Sequence, residues 1–504
     1  MLAMSASTGL GSMFVGPLLS KRELAAPWLI KFLFYALLAV IAWNLATQLL
    51  AQQGVAGWWM GQPLLQEGLE YLEAGRIADV VILIGFAILC YVVLRTFPPL
   101  SQWNEIHWGL GLGVVALTLV WVFGLFFIER LDLQEYFRWY VVHYWVEGVW
   151  EVIHIALVGF LLVLMFKADV KSVGYAVFWG ISLVWLSGLL GNAHHYFWIG
   201  TPEFWQFWGS LFSALEPLPL IFCFWHIYLD THQDRKPIAN MPAFAFLLGS
   251  VVLEQVGAGI LGFTMTFALT NVWSHGTWIT ASHAHLALFG TFGMLGLAAA
   301  YHAVPIMRGA AHFDQRLGRL SFWLVFTGML GLGFAFAIGG TVQVFIYRTL
   351  GLNWFGGDVA PAMLFAKLLV LVFGIVFAVG VGLLVYDLLT LGLRVLAAAK
   401  EPTLDQKAAS TGWGRLLSGW EAGIWLLSMW FFGGIITLGL LSFNLETVQQ
   451  GNALFPYLMA GIGYPGLLLV TLFFVWRFLS SLEARSHVNL APFAVASPLP
   501  AGAA

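Results

Sequence analysis

Apolar runs long enough to cross a bilayer recur along almost the whole chain, separated by short clusters of charged, glycine and proline residues. Only a helix satisfies its own backbone in hydrocarbon, so each run of about 20 residues reads as one membrane-spanning helix. The pattern predicts twelve such helices, at 28–50, 77–97, 108–128, 140–165, 173–199, 207–229, 243–269, 281–305, 320–345, 361–390, 420–441 and 457–478. The expected fold is therefore an all-α polytopic membrane protein. A longer connector, 391–419, separates the first ten spans (28–390) from two C-terminal ones in 420–504.

The few charges orient this bundle. One set of loops carries Lys21 and Arg22, Arg95, Lys167 and Lys171, Arg235 and Lys236, Arg308, Arg316 and Arg319, and Arg394, Lys400, Lys407 and Arg415 of the connector. The opposite loops hold Arg76, Arg130, Arg138 and Arg348 among the acids Glu67, Glu70, Glu73, Asp132 and Glu135. Basic loops stay on the cytoplasmic side, so both termini are expected inside, in a bacterial inner membrane. Residues 1–20 have no basic region before their apolar part, so no cleavable signal peptide is expected.

Composition narrows the chemistry. The chain is 60% hydrophobic and 9% charged with a net charge of −3, which leaves no basic patch for nucleic acid. Its two cysteines, Cys90 and Cys223, form neither CxxC nor CxxCH, so no covalent c-type haem site is present in the sequence.

Against this background the ionisable residues inside the spans stand out, because such groups are costly in a membrane and mark functional sites by default. His143, Glu147 and Glu151 recur every four residues, along one helical face at steps of about 6 Å. A His and a Glu so spaced can hold one metal, or simply hydrogen-bond beside a wet cavity. The adjacent His194 and His195 could, alone, be satisfied core histidines. His283 and His285 lie about 200° apart around their helix, so each can ligate a separate haem but they cannot readily share an ion. With Glu216, these groups fall near one depth, toward the outer ends of four helices. Scattered core histidines would not converge in this way, and a metal centre is expected.

The same residues resemble a known family. His283-x-His285 on one helix, with His143 and His194-His195 on two others, is similar to the haem–copper oxidase superfamily. Within it, the run His143 to Glu151 (HYWVEGVWE), HHYFWIG at 194–200 and ALEPLP at 214–219 resemble the bacterial nitric oxide reductase catalytic subunit. The resemblance covers about residues 20–390. It implies a haem–iron catalytic core in which His143, Glu147, His194 and His195 hold a non-haem iron. His283 would be the axial ligand of a high-spin b-type haem, and His285 one ligand of a low-spin b-type haem. Glu216 would be the acid beside the binuclear site, with Glu151 in its polar network and Ser213 and Thr266 at associated positions. Glu70, with Glu73 beside it, matches the acid that binds calcium near the haem propionates. Oxygen-reducing relatives carry three imidazoles for copper and commonly a tyrosine where Glu147 stands; a hard carboxylate suits iron better.

The activity implied is reduction of two NO to nitrous oxide and water, with electrons from a cytochrome c-type subunit or quinol and with membrane lipid as surroundings. A related activity (NO dismutation or oxygen reduction) and a non-catalytic haem-binding subunit are the alternatives. Protons are expected to enter from the outer face, where the site residues cluster. Two departures from the family pattern remain. The family has two further helices before the first span, and the second low-spin haem ligand would fall a few residues before Met1. Residues 1–27 are thus expected to be the remnant of a preceding helix in a shortened sequence, unless those helices are a separate polypeptide or that haem is altered. The last two spans, 420–504, extend beyond the usual core.

Overall fold

The computed structural model describes residues 15–52, 75–126, 128–166, 168–219, 221–222, 240–307, 315–352, 359–390 and 417–483, with isolated positions between them. Among the described residues, eleven helices are long and apolar enough to cross a membrane. They are α1 (Pro27–Leu50), α2 (Gly75–Thr96), α3 (Glu105–Leu125), α4 (Leu131–Met165), α5 (Val170–Tyr196), α7 (Met241–Met265), α8 (Trp278–Met307), α9 (Arg316–Thr349), α10 (Leu364–Thr390), α11 (Gly419–Ser442) and α12 (Leu454–Leu482). Between α5 and α7 lies α6 (Phe204–Leu215); the expected span there ran to 229, and residues 223–229 are outside the described residues. The chain is an all-α polytopic membrane protein. Two antiparallel pairs of two-residue strands, Trp58–Trp59 with Gln62–Pro63 and Thr403–Leu404 with Ser486–His487, are the strand structure among the described residues.

Helix starts follow local capping chemistry that hydrophobicity alone does not register. α3 opens at Glu105 because the Asn104 side chain accepts the amide of His107 and is itself 2.7 Å from His107 Nδ1. This uses His107 as a capping partner. α5 opens at Val170 because Asp169 accepts the amides of Lys171 and Ser172. α4 begins nine residues earlier than the apolar pattern suggests, since its polar first turns from Leu131 continue the helix beyond the apolar stretch.

The centre of the bundle is α4 and α7, with 78% and 89% of their apolar windows buried, against 6% for α1 and 11% for α10. Lipid is as apolar as leucine, so helices associate by close packing rather than by expelling water. α9 and α10 do this along a glycine seam: a Cβ at Gly328 would sit 2.6 Å from the Phe377 amide nitrogen, and one at Gly380 2.7 Å from that of Val325. Tyr301 of α8 donates a hydrogen bond of 3.0 Å to the buried Asp387 of α10. α11 and α12 are tied by Arg477 Nε, 3.0 Å from Glu421 Oε1.

Three helices around the centre of the bundle widen into π geometry over one stretch each, as α9 and α12 also do at Val344–Thr349 and Met459–Gly463. α4 is a π-helix over Tyr144–Trp150, α7 over Gln255–Leu261 and α8 over His285–Gly293. Such widened turns are frequent at functional sites, and all three stretches flank the same cavity.

Candidate metal centre

Four side chains from two helices converge where the end of α5 meets the middle of α4. One ligand atom from each of His143, Glu147, His194 and His195 lies within 4.8 Å of every other. With metal–ligand bonds near 2.1 Å, two donors across one ion stand about 4.2 Å apart, so the cluster has the dimensions for a single ion. His143 Nδ1 is 3.4 Å from Glu147 Oε2, and His143 Nε2 is 4.0 Å from Glu216 Oε1. Both nitrogens of His143 and Oε1 of Glu216 are buried without a hydrogen-bond partner. Orphaned polar atoms of this kind cost about 1–3 kcal/mol each, and a bound cation would relieve them. The donor set of three imidazoles and a carboxylate therefore fits a metal.

Surrounding groups aim these ligands. The Ser213 hydroxyl donates to Gly191 O at 3.1 Å and lies 2.5 Å from His194 Nδ1. Its proton is thus committed, so it accepts from Nδ1–H and leaves the His194 Nε2 lone pair for a metal. The His195 ring stacks on Trp139, with centroids 4.1 Å apart and planes 6° from parallel. The turn carrying both histidines, Asn192–Tyr196, is held by Asn192 Nδ2 donating to Tyr196 Oη at 2.6 Å. α6 presses onto this turn at Gly209, where a Cβ would fall 2.4 Å from His194 N. That neighbour is backbone and cannot swing aside. Gly209→Ala is therefore expected to displace the turn, costing about 1–3 kcal/mol in overpacking and lowering metal occupancy. Thermal denaturation together with elemental analysis of the purified protein checks both effects.

His283 and His285 are poised similarly but face apart. His283 Nδ1 is 2.8 Å from Gly257 O, in the π stretch of α7, and His285 Nδ1 is 2.7 Å from Ala281 O. Each Nδ1–H donates to a carbonyl, which leaves each Nε2 lone pair free to accept a hydrogen bond or bind a metal. His283 lines a cavity of about 400 Å³ whose other wall is the metal cluster, with Glu151, Glu216 and Thr266 also on its surface. His285 is exposed on the opposite side, its ring 4.7 Å from that of Phe336 on α9. The expected angular separation of the two histidines is thus observed. At the loop end of the cavity, partial desolvation, with Arg348 nearby, lowers the pKa of His275 and favours its neutral form.

The sequence accords with this geometry. Residues 1–359, about seven-tenths of the chain, match the family described as Cytochrome C and Quinol oxidase polypeptide I. The chain belongs to this family. As an oxidase polypeptide I member it falls in the haem–copper superfamily anticipated from its histidines, and haem is the cofactor class that membership implies. It is 31% identical over 288 residues to a nitric oxide reductase subunit of Stutzerimonas stutzeri, covering 56% of this chain and 60% of that protein. It is 24% identical over 354 residues to cytochrome c oxidase subunit 1 of Thermostichus vulcanus, covering 64% and 62%. The chain thus spans about three-fifths of the length of these curated relatives.

Of the residues singled out from sequence, His143, Glu147, His194 and His195 come together, and Glu151, Glu216, Thr266 and His283 share their cavity. Ser213 braces His194, and His285 faces away. Glu70 and Glu73 lie outside the described residues. Two partners were not anticipated. Trp139 precedes His143 by one helical turn, a spacing that places it beside the cluster. Glu254 is a lone carboxylate within an apolar span, and the reasoning that flagged Glu216 applies to it equally.

Proposed function

We propose that this chain is the catalytic subunit of a nitric oxide reductase, joining two NO with two electrons and two protons to give N2O and H2O. The observation that carries this reading is Glu147 within the ligand cluster, a hard anionic donor among three imidazoles that favours iron over copper. In this reading His143, Glu147, His194 and His195 hold the non-haem iron, His283 a high-spin b-type haem and His285 a low-spin b-type haem. Glu70 would contribute to a calcium site. Bound there, the two facing irons would supply electrons and Lewis acidity for coupling the two NO molecules.

The protein's part is placement and proton handling. Ser213 and Trp139 fix the imidazoles, so the site is assembled before substrate arrives. With a haem on His283 filling part of the cavity, the space left beside the cluster would hold two small molecules side by side, which replaces a bimolecular encounter by a positioned one. Glu216 delivers protons to the reacting oxygen, and Glu151 hands protons on within the same cavity. Electrons come from a cytochrome c-type subunit or quinol. The chain sits in a bacterial cytoplasmic membrane with both termini inside.

Reduction of oxygen is the second reading, favoured by the 24% identity to a cytochrome c oxidase subunit 1. The deciding measurement is turnover of the purified holo-complex with a chemical electron donor, under NO or under O2 alone. Under NO, one N2O is expected per two NO consumed. Oxygen consumption as the sole fast reaction, without N2O, would overturn the proposal.

A further inference from the structure

A second buried polar group lies one turn beyond Glu151 on α4, and the roles assigned above do not use it. His154 and Glu254 are 1% and 2% exposed. His154 Nε2 is 2.9 Å from Ser250 Oγ, which donates at 2.6 Å to Thr291 O. The Ser250 proton is committed to that carbonyl, so Ser250 accepts from His154 Nε2–H. The other ring nitrogen, Nδ1, is 3.1 Å from Glu254 Oε1. A bare lone pair facing a carboxylate at that distance would be repulsive in a medium of low dielectric. Both atoms are buried and neither has a hydrogen-bond partner, so the contact is relieved only when one of the two groups carries a proton, on the imidazole as an ion pair or on Glu254 as a neutral pair.

The surroundings decide where that proton can go. Toward the metal cluster, Glu151 of α4 and Thr291 and Phe292 of α8 line the cavity, and Thr291 Oγ1 is buried without a hydrogen-bond partner. The Phe292 ring lies 5.6 Å from that of His154. Gln255, next to Glu254, has its Nε2 buried and unpaired as well. Away from the cluster, α4 continues as Ile155 to Leu161 and α7 approaches through Ala243 to Gly249, all of it apolar and buried. α3 and α5 meet α4 here at Gly109, Gly113 and Ile181, which bring no titratable group, and α8 runs on through buried Met294, Leu295 and Ala298 before its next titratable groups, Tyr301 and His302.

The geometry points to a dead-end proton store. We infer that the proton carried by the His154–Glu254 pair passes into the cavity at its Glu151–Thr291 end during turnover. It is then replaced from the same cavity. The transfer is a simple exchange: the pair is left as neutral imidazole and carboxylate, the acceptor gains H+, and refilling reverses both changes. Emptying the pair recreates the repulsion described above, so the store refills rather than staying empty. The inference rests on the reading that this cavity consumes protons, and its test has a readout that does not need NO.

The test uses the purified holo-complex, wild type against Glu254→Gln. A paired His154→Phe with Glu254→Leu replacement covers the case in which the single change disturbs folding, since an apolar pair of similar volume is tolerated where a broken ion pair is not. Infrared difference spectra on reduction and across pH, without substrate, should show a carboxyl band that both variants lose while haem and metal content stay unchanged. In sealed vesicles, uptake of protons from bulk should lag behind oxidation of the reduced wild-type enzyme, and that lag should vanish in both variants. A band and a lag that survive in both would make the pair purely structural. Loss of proton uptake from the compartment away from the metal cluster would make it an entry route, and either result overturns the store. If the complex fails to reduce NO while the band behaves as expected, the proposed substrate fails and the store stands.

Discussion

Replacing His194 by alanine is expected to empty the non-haem metal site while leaving haem in place. His194 is one of four donors, so its share of a binding free energy on the order of 10–16 kcal/mol is roughly 3 kcal/mol, or about a hundredfold in affinity. The real loss should be larger, because the imidazole is also what Ser213 aims. Haem would be held elsewhere, by His283 and His285, whose Nδ1 partners on Gly257 and Ala281 are untouched by the change. Elemental analysis and the haem absorption spectrum of the same preparation separate the two outcomes. Stoichiometric copper in active wild type, in place of non-haem iron, would refute the assignment of the site.

Glu216→Gln should have the largest effect on rate. Its Oε1 is buried, unpaired and 4.0 Å from His143 Nε2, and it lines the cavity. α5 makes room for it with Gly191, where a Cβ would stand 2.5 Å from that oxygen. The amide keeps the size and the hydrogen-bonding shape of the acid but cannot carry a proton through. Losing a positioned proton donor costs about 10²- to 10⁴-fold, so turnover should nearly vanish while haem and iron content remain. Glu151→Gln, farther from the cluster on the same cavity wall, should be impaired to a smaller degree. Steady-state N2O formation alongside metal analysis reads both. Full activity in Glu216→Gln would remove it from the proton path.

The bundle and most of its site were legible in sequence for distinct physical reasons. Spans are readable because an unsatisfied backbone is not tolerated in lipid, so apolar length maps directly onto helices. The cluster was readable because His143 and Glu147 follow the helical repeat and His194 and His195 are adjacent, which fixes their neighbourhood without tertiary knowledge. The brace on His194 was visible only as a position, Ser213; which ring nitrogen it engages depends on how α6 packs. The His154–Glu254 pair was missed because its members lie a hundred residues apart on helices that meet only in the folded bundle. Capping shifted helix starts for a similar reason, since Asn104 and Asp169 act through single hydrogen bonds that hydropathy does not register.

The widened turns in α4, α7 and α8 have a bearing on how such a site changes over time. A π turn is an α-helix with one residue in excess. Removing one residue within Tyr144–Trp150 would restore the α repeat and leave the helix on either side nearly in its present phase, because the wide turn already absorbs the extra residue. His143 before the stretch and Glu151 beyond it would keep their places, while the side chains inside it, Glu147 among them, would be re-aimed. Insertions and deletions of a single residue can therefore exchange which side chains look inward without altering how the helix crosses the membrane. The local phase of each widened turn, rather than the composition of its helix, becomes the variable on which selection acts.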